Sequence, residues 1–374
     1  MKWSEWRSDS DAPVPRVDAV DLFRFWVLFF MIQGHLFRAY LLPVIRQQPW
    51  FRLHEVLHGF VAPGFLFAAG FAAFLSFHNK RQNYLRLDRA FVLRLRRILF
   101  VIAVGYWIHL PFLSLRKTLR FLLLGQADRF YQVDILQCIG SGLLLFTLLA
   151  VLLKEERVVA ALTALLGALF FLMPGAVQGI RLHPAVDPYF HRELSLFPLF
   201  PWVGFLCLGV VAAFVYSRLR KEIFFRLLLL AGIAVFPWVF LLSGKAHSQI
   251  VAWSGMMNRA GGVFLLLCLS HWLLNKFGGR FLSLLIRAGS ESLFVYVLHL
   301  FVIFHSLFGR GLNPLFQDSL SVLEALLLFL AVQLAVFALA LLYGGLKKRH
   351  PQAWRWAFRL FWVGFFILFA LRPH

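Results

Sequence analysis

Apolar runs of about twenty residues alternate with short basic, glycine- or proline-bearing segments along most of the 374-residue chain. An α-helix needs roughly 20 residues to cross hydrocarbon. On that measure the pattern predicts ten spans, over residues 20–42, 56–77, 97–113, 132–153, 158–173, 197–216, 227–243, 256–272, 288–308 and 321–343. A last apolar stretch, 356–371, is interrupted by Arg359 and reads equally as an eleventh span or as a helix lying in the interface. The predicted fold is all-α, a polytopic membrane helical bundle of one domain over residues 1–374. A polar segment, 1–18, precedes the first span without the apolar core of a signal peptide, and a basic segment, 344–374, follows the tenth. No long polar linker, low-complexity tract or repeat interrupts the pattern.

Composition sharpens this reading. Hydrophobic residues make up 61% and charged residues 15%, more apolar side chain than a soluble domain of this length covers. The net charge of +21 raises the question of nucleic acid. Its basic residues, however, sit in the short connections between apolar runs, where they set topology rather than track a phosphate backbone. Nucleic acid is therefore excluded as a partner, and the lipid bilayer is the first one expected. The distribution of Lys and Arg favours a cytoplasmic N-terminus in the inner membrane. One loop runs against it, carrying Arg116, Lys117, Arg120 and Arg129, and its apolar 121–124 stretch suits a return into the headgroups. The three cysteines, Cys138, Cys207 and Cys268, all lie in apolar stretches and imply no disulfide framework.

Against this apolar background the ionisable residues inside spans stand out, because each is costly and marks function by default. Arg24 and His35 are eleven residues apart in the first span. On a helix that is about 1100°, three turns plus about 20°, so both point the same way, about 16 Å apart along the axis. Asp21 lies one turn before Arg24 and can fix its rotamer. His35 suits a general base or a nucleophile, since imidazole titrates near ~6.5. Arg94, Arg96 and Arg97 at the mouth of the third span offer guanidinium groups to phosphate oxygens. Eight histidines fall toward the outer side (His35, His54, His58, His109, His183, His191, His247 and His305), with His299 near mid-membrane. Asp134 and Gln137 join helices or bind substrate, and Glu291 caps its helix or pairs with Arg287 four residues earlier.

Two other classes compete. His54-Glu55-Val56-Leu57-His58 matches the H-E-x-x-H pattern of an intramembrane zinc protease. That site needs a third ligand, and Pro63 and Gly64 disturb the helix it would lean on, so His54 and His58 are read as acceptor-binding beside His35 and no metal is assigned. A polytopic transporter would show broken helices in paired halves about a midplane site, and no inverted repeat is visible.

Four segments carry a family resemblance. Asp21-Leu22-Phe23-Arg24 followed after ten residues by His35 resembles the opening motif of the acyltransferase-3 family. The run His58-Gly59-Phe60-Val61-Ala62-Pro63-Gly64, continuing to Gly70, is similar to the second-span pattern of the heparan-α-glucosaminide N-acetyltransferase and YeiB-like families. Asp134-Ile135-Leu136-Gln137-Cys138-Ile139-Gly140 resembles their fourth-span signature, and the stretch from Gly289 through Ser292 and Tyr296 to His299 resembles a late motif of both groups. The resemblance implies transfer of an acyl group, usually acetyl, from cytoplasmic acyl-CoA as co-substrate to a hydroxyl or amine of an envelope glycan or lipid-linked sugar. For that chemistry the residues' own properties suit Asp21, Arg24 and His35 to the catalytic set and Arg94, Arg96, Arg97, His54, His58, Asp134, Gln137 and His299 to substrate binding. Phe25 departs from the small residue usual after the arginine, which puts close helix approach there in question.

Overall fold

The computed structural model describes residues 16–124, 128–172, 183–237, 248–304 and 309–372, and these are overwhelmingly helical, with no strand longer than an isolated bridge such as Leu41–Leu320. We number the helices longer than two turns: α1 (Asp18–Tyr40), α2 (Pro49–His58), α3 (Val61–Asn79), α4 (Arg89–Ile108), α5 (Leu115–Leu123), α6 (Ile135–Leu153) and α7 (Glu156–Leu172). The second half adds α8 (Leu199–Arg218), α9 (Lys221–Val235), α10 (Ser248–Lys276), α11 (Arg280–Ser290), α12 (Ser292–Ile303), α13 (Val322–Arg349) and α14 (Pro351–Leu371). The chain is an all-α, multi-pass membrane protein.

Among the described residues seven helical stretches are long and apolar enough to cross a membrane, and α11 with α12 makes an eighth if the bent pair is one span. The shortfall from ten has local causes. Four arginines in the first nine residues of α4 lower its hydropathy, α7 is 17 residues long, and the span expected over 227–243 is described only as far as residue 237. The span expected over 288–308 is not continuous: α11 and α12 meet at Glu291 with a bend of 77°. The C-terminal stretch forms a helix of 21 residues, α14, long enough to span.

The described chain clusters into two compact units. The first comprises 62–107 and 131–268, and therefore α3, α4, α6 to α9 and most of α10. In it α3 and α8 touch backbone to backbone, because a Cβ at Gly70 would strike the Leu206 carbonyl and one at Gly209 the Phe67 carbonyl. Small residues at such crossings are how helices associate where lipid removes the hydrophobic drive. The second unit comprises 18–61, 108–130 and 269–374. Its centre is α1, packed by α11, α12 and α13. The apolar core there includes Leu22, Phe25 and Ala288, and aromatic contacts bind α1 to α13, Phe25 to Phe337 at 4.8 Å and Phe29 to Phe329 at 5.1 Å between ring centroids.

Candidate active site

Helix α1 organises the site. Its first turn carries Asp18 and Asp21, which complement the partial positive charge of a helix N-terminus. Because α1 is continuous from Asp18 to Tyr40, Arg24 and His35 keep the three-turn offset that places them nearly on one face. Asp21 is buried, and its Oδ1 accepts a hydrogen bond from Arg24 Nη1 at 2.8 Å. Charge compensation one turn apart is what lets a carboxylate remain there. Close approach at this level comes from the neighbouring helix: a Cβ at Gly289 of α11 would strike the Asp21 carbonyl oxygen and lie 2.9 Å from the Phe25 nitrogen. Phe25 is thus accommodated by a glycine facing it, and the late motif resembling the acyltransferases supplies that glycine.

Three turns along, four histidines gather. The His35 ring lies 5.4 Å from that of His299 and 5.5 Å from Phe304. His299 is fully buried, and its Nδ1 is 3.2 Å from the Val295 carbonyl oxygen one turn earlier in α12. From the other side α2 brings His54 and His58, whose rings are 4.1 Å apart. His54 Nε2 sits 2.9 Å from Gln33 Oε1, and a Cβ at Gly34 would be 2.6 Å from His58 Nδ1, so the residue before His35 must be small for His58 to reach α1. His35 is also close enough to His58 to act on it electrostatically. His247 and His305 lie outside the described residues.

The H-E-x-x-H reading of α2 meets a geometric obstacle. Glu55, which would have to activate water, accepts hydrogen bonds from Arg38 Nε at 3.0 Å and Nη2 at 2.7 Å instead. Among the described residues no group of three His, Cys, Asp or Glu side chains assembles as a metal site. Glu291, expected to cap or to pair with Arg287, instead reaches α13 and forms an ion pair with Lys347 Nζ at 2.8 Å.

The remaining sequence-predicted residues belong to the other unit. Arg94 is half-buried; its Nε donates to Thr147 Oγ1 at 3.2 Å, its Nη1 to the Ala73 carbonyl at 3.3 Å and to Tyr84 Oη at 3.2 Å, and its guanidinium lies 5.1 Å over the Tyr84 ring. None of these acceptors carries charge. Arg96 and Arg97 are exposed. Asp134 and Gln137 form a capping box that opens α6, which explains that residue pair at that spacing by helix chemistry alone. The same unit holds two polar clusters that sequence reading missed. Glu156 Oε2 accepts from Arg218 Nη2 at 2.8 Å, with His78 Nδ1 at 3.0 Å from both its oxygens. Tyr106 and Tyr189 hydroxyls are 2.8 Å apart, and burial followed by that hydrogen bond raises the Tyr189 phenol above its ordinary pKa.

Comparison with protein-family models supplies a match. The family model described as heparan-alpha-glucosaminide N-acetyltransferase, catalytic, matches residues 16–246, which include α1, the histidine pair of α2, and Arg94, Asp134 and Gln137. No curated protein matches the chain.

Proposed function

From the premise that the chain belongs to the heparan-α-glucosaminide N-acetyltransferase catalytic family, a membrane acetyltransferase family, we propose that it transfers an acetyl group from cytoplasmic acetyl-CoA. The acceptor in this reading is a hydroxyl or amine on an envelope glycan or lipid-linked sugar at the far side of the inner membrane, with the N-terminus in the cytoplasm. The observation that supports it most is α1 itself, where one continuous helix carries a carboxylate-buttressed guanidinium at one level and an imidazole beside three further histidines about 16 Å on.

The roles follow from that separation. Asp21 fixes Arg24, whose forked N–H groups hold donor oxygens. The Arg94 guanidinium, whose acceptors among the described residues are all neutral, keeps its charge available to a phosphate, and the exposed Arg96 and Arg97 reinforce the local field. His35 takes the proton from the acceptor hydroxyl or amine as that atom attacks the thioester carbonyl, and the thiolate of CoA leaves and is reprotonated. A transient acyl-imidazole at His35 satisfies the same balance in two steps. His54, His58 and His299 surround His35 and hydrogen-bond the acceptor. The break between α11 and α12 is the one feature shared with transporters, whose substrate sites use broken helices.

Purified protein given carbon-14 acetyl-CoA and fractionated envelope glycans tests the reading. Label should move to one acceptor fraction with wild-type protein and fail to move with His35→Ala. Solute flux without thioester consumption would favour the transporter instead.

A further inference from the structure

The basic segment that runs against the charge pattern of the other connections folds as α5, Leu115–Leu123. Ser114 caps it, its Oγ accepting from the Lys117 backbone N–H at 3.4 Å and donating to the Arg372 carbonyl at 2.7 Å. Arg372 is the first residue past α14, a helix long and apolar enough to cross a membrane. A spanning helix ends at the headgroup level, so this bond sets the start of α5 at the interface rather than deep in hydrocarbon. Both helices belong to one compact unit.

The sequence of α5 divides its circumference into three faces. At 100° per residue, Leu115, Leu119 and Leu123 fall within an arc of about 80°, and Arg116, Lys117 and Arg120 occupy the next arc of about 100°. Thr118 and Phe121 take the remaining side. Thr118 is buried and its Oγ1 donates to the Phe112 carbonyl at 3.4 Å, while the Phe121 ring lies 5.6 Å from that of Phe112, so this face is turned to the protein. The three leucines are 37%, 48% and 87% exposed. The three cations are exposed as well, and among the described residues none pairs with a carboxylate; Lys117 Nζ lies 5.8 Å over the Phe112 ring.

We propose that α5 lies in the membrane interface and binds anionic phospholipid headgroups of the leaflet at which α14 ends, with its leucines among the upper acyl carbons and its three cations on the lipid phosphates. An apolar face flanked by a cationic one is the form of helix that binds such a surface. Each Lys or Arg close to an anionic leaflet favours it by a factor of about five. Hydrocarbon then covers the leucines that the protein leaves bare. Arg116, Lys117 and Arg120 are held by lipid phosphate instead of acting as topology signals, which reconciles their place in the chain with the distribution of the other basic residues.

A fluorescent reporter on α5 tests this. Full-length protein carrying Leu123→Cys and Cys268→Ala is labelled with bimane, the remaining Cys138 and Cys207 being buried. It is placed in phosphatidylcholine nanodiscs doped with equal mole fractions of doxyl-labelled phosphatidylglycerol or doxyl-labelled phosphatidylcholine. Both lipids should quench the label, the anionic one at least about threefold more strongly. Arg116→Gln, Lys117→Gln and Arg120→Gln together should bring the two lipids to equal strength while quenching persists. Arg116→Lys with Arg120→Lys keeps the charge and should keep the preference. Absence of quenching by either lipid would place the leucines against another protein surface. That result, equal quenching with the native cations in place, or a preference that survives the triple Gln variant would each overturn the interfacial site.

Discussion

Glu156, at the start of α7, and Gln333, in the middle of α13, are both nearly inaccessible polar side chains, and they are treated in opposite ways. The Glu156 carboxylate, 8% exposed, is satisfied by Arg218 from α8 and His78 from α3, tying three helices of its unit together. The Gln333 amide, 5% exposed, has no hydrogen-bond partner among the described residues. A polar group that closes a network stabilises the bundle; one that is left open weakens it.

Substitutions can break the contrast at several strengths. The largest effect is expected at Gly289, where any side chain strikes the α1 backbone at Asp21. Gly289→Val should cost about 3 kcal/mol or abolish the folded protein, read by fluorescence-detected size exclusion and thermal melts. Next is Glu156→Ala, which removes the acceptor shared by Arg218 and His78; a loss of about 2 kcal/mol is expected, tempered by the partial exposure of both partners. Gln333→Met has the opposite sign: ligand-free protein should gain about 1 kcal/mol and melt higher, because an unsatisfied amide has been replaced by an apolar chain. A lower melting temperature would show that Gln333 holds helices together as Glu156 does. The smallest effect belongs to Arg38→Ala, since the Arg38–Glu55 pair is exposed on both sides and contributes no more than about 0.5 kcal/mol.

The helices themselves were readable from apolar run lengths, and so was the register of Arg24, Asp21 and His35, because local geometry alone sets it. The proximity of His54 and His58 to His35 also followed from order along the chain, α2 returning toward the end of α1. The bend at Glu291 did not, since a hydropathy window averages over Ser290, Glu291 and Ser292 and sees one span. Nor did the partner of Glu291: Arg287 is near in sequence, but the helix breaks between them and Lys347 of α13 is nearer in space. Gln333 carried a legible signal, a lone amide in an apolar run, and its meaning depended on packing that only the fold reveals. Asp134 and Gln137 show the reverse case, a motif whose spacing is fully accounted for by a helix cap.

The central claim is a division of labour along α1, donor held at Arg24 and acyl group transferred at His35. Measuring CoA affinity and single-turnover acetyl transfer for Arg24→Ala and His35→Ala side by side tests it directly. The account predicts that Arg24→Ala weakens CoA binding about tenfold or more, while His35→Ala binds CoA as wild type does and transfers no acetyl group. Transfer at the wild-type rate by His35→Ala would contradict it.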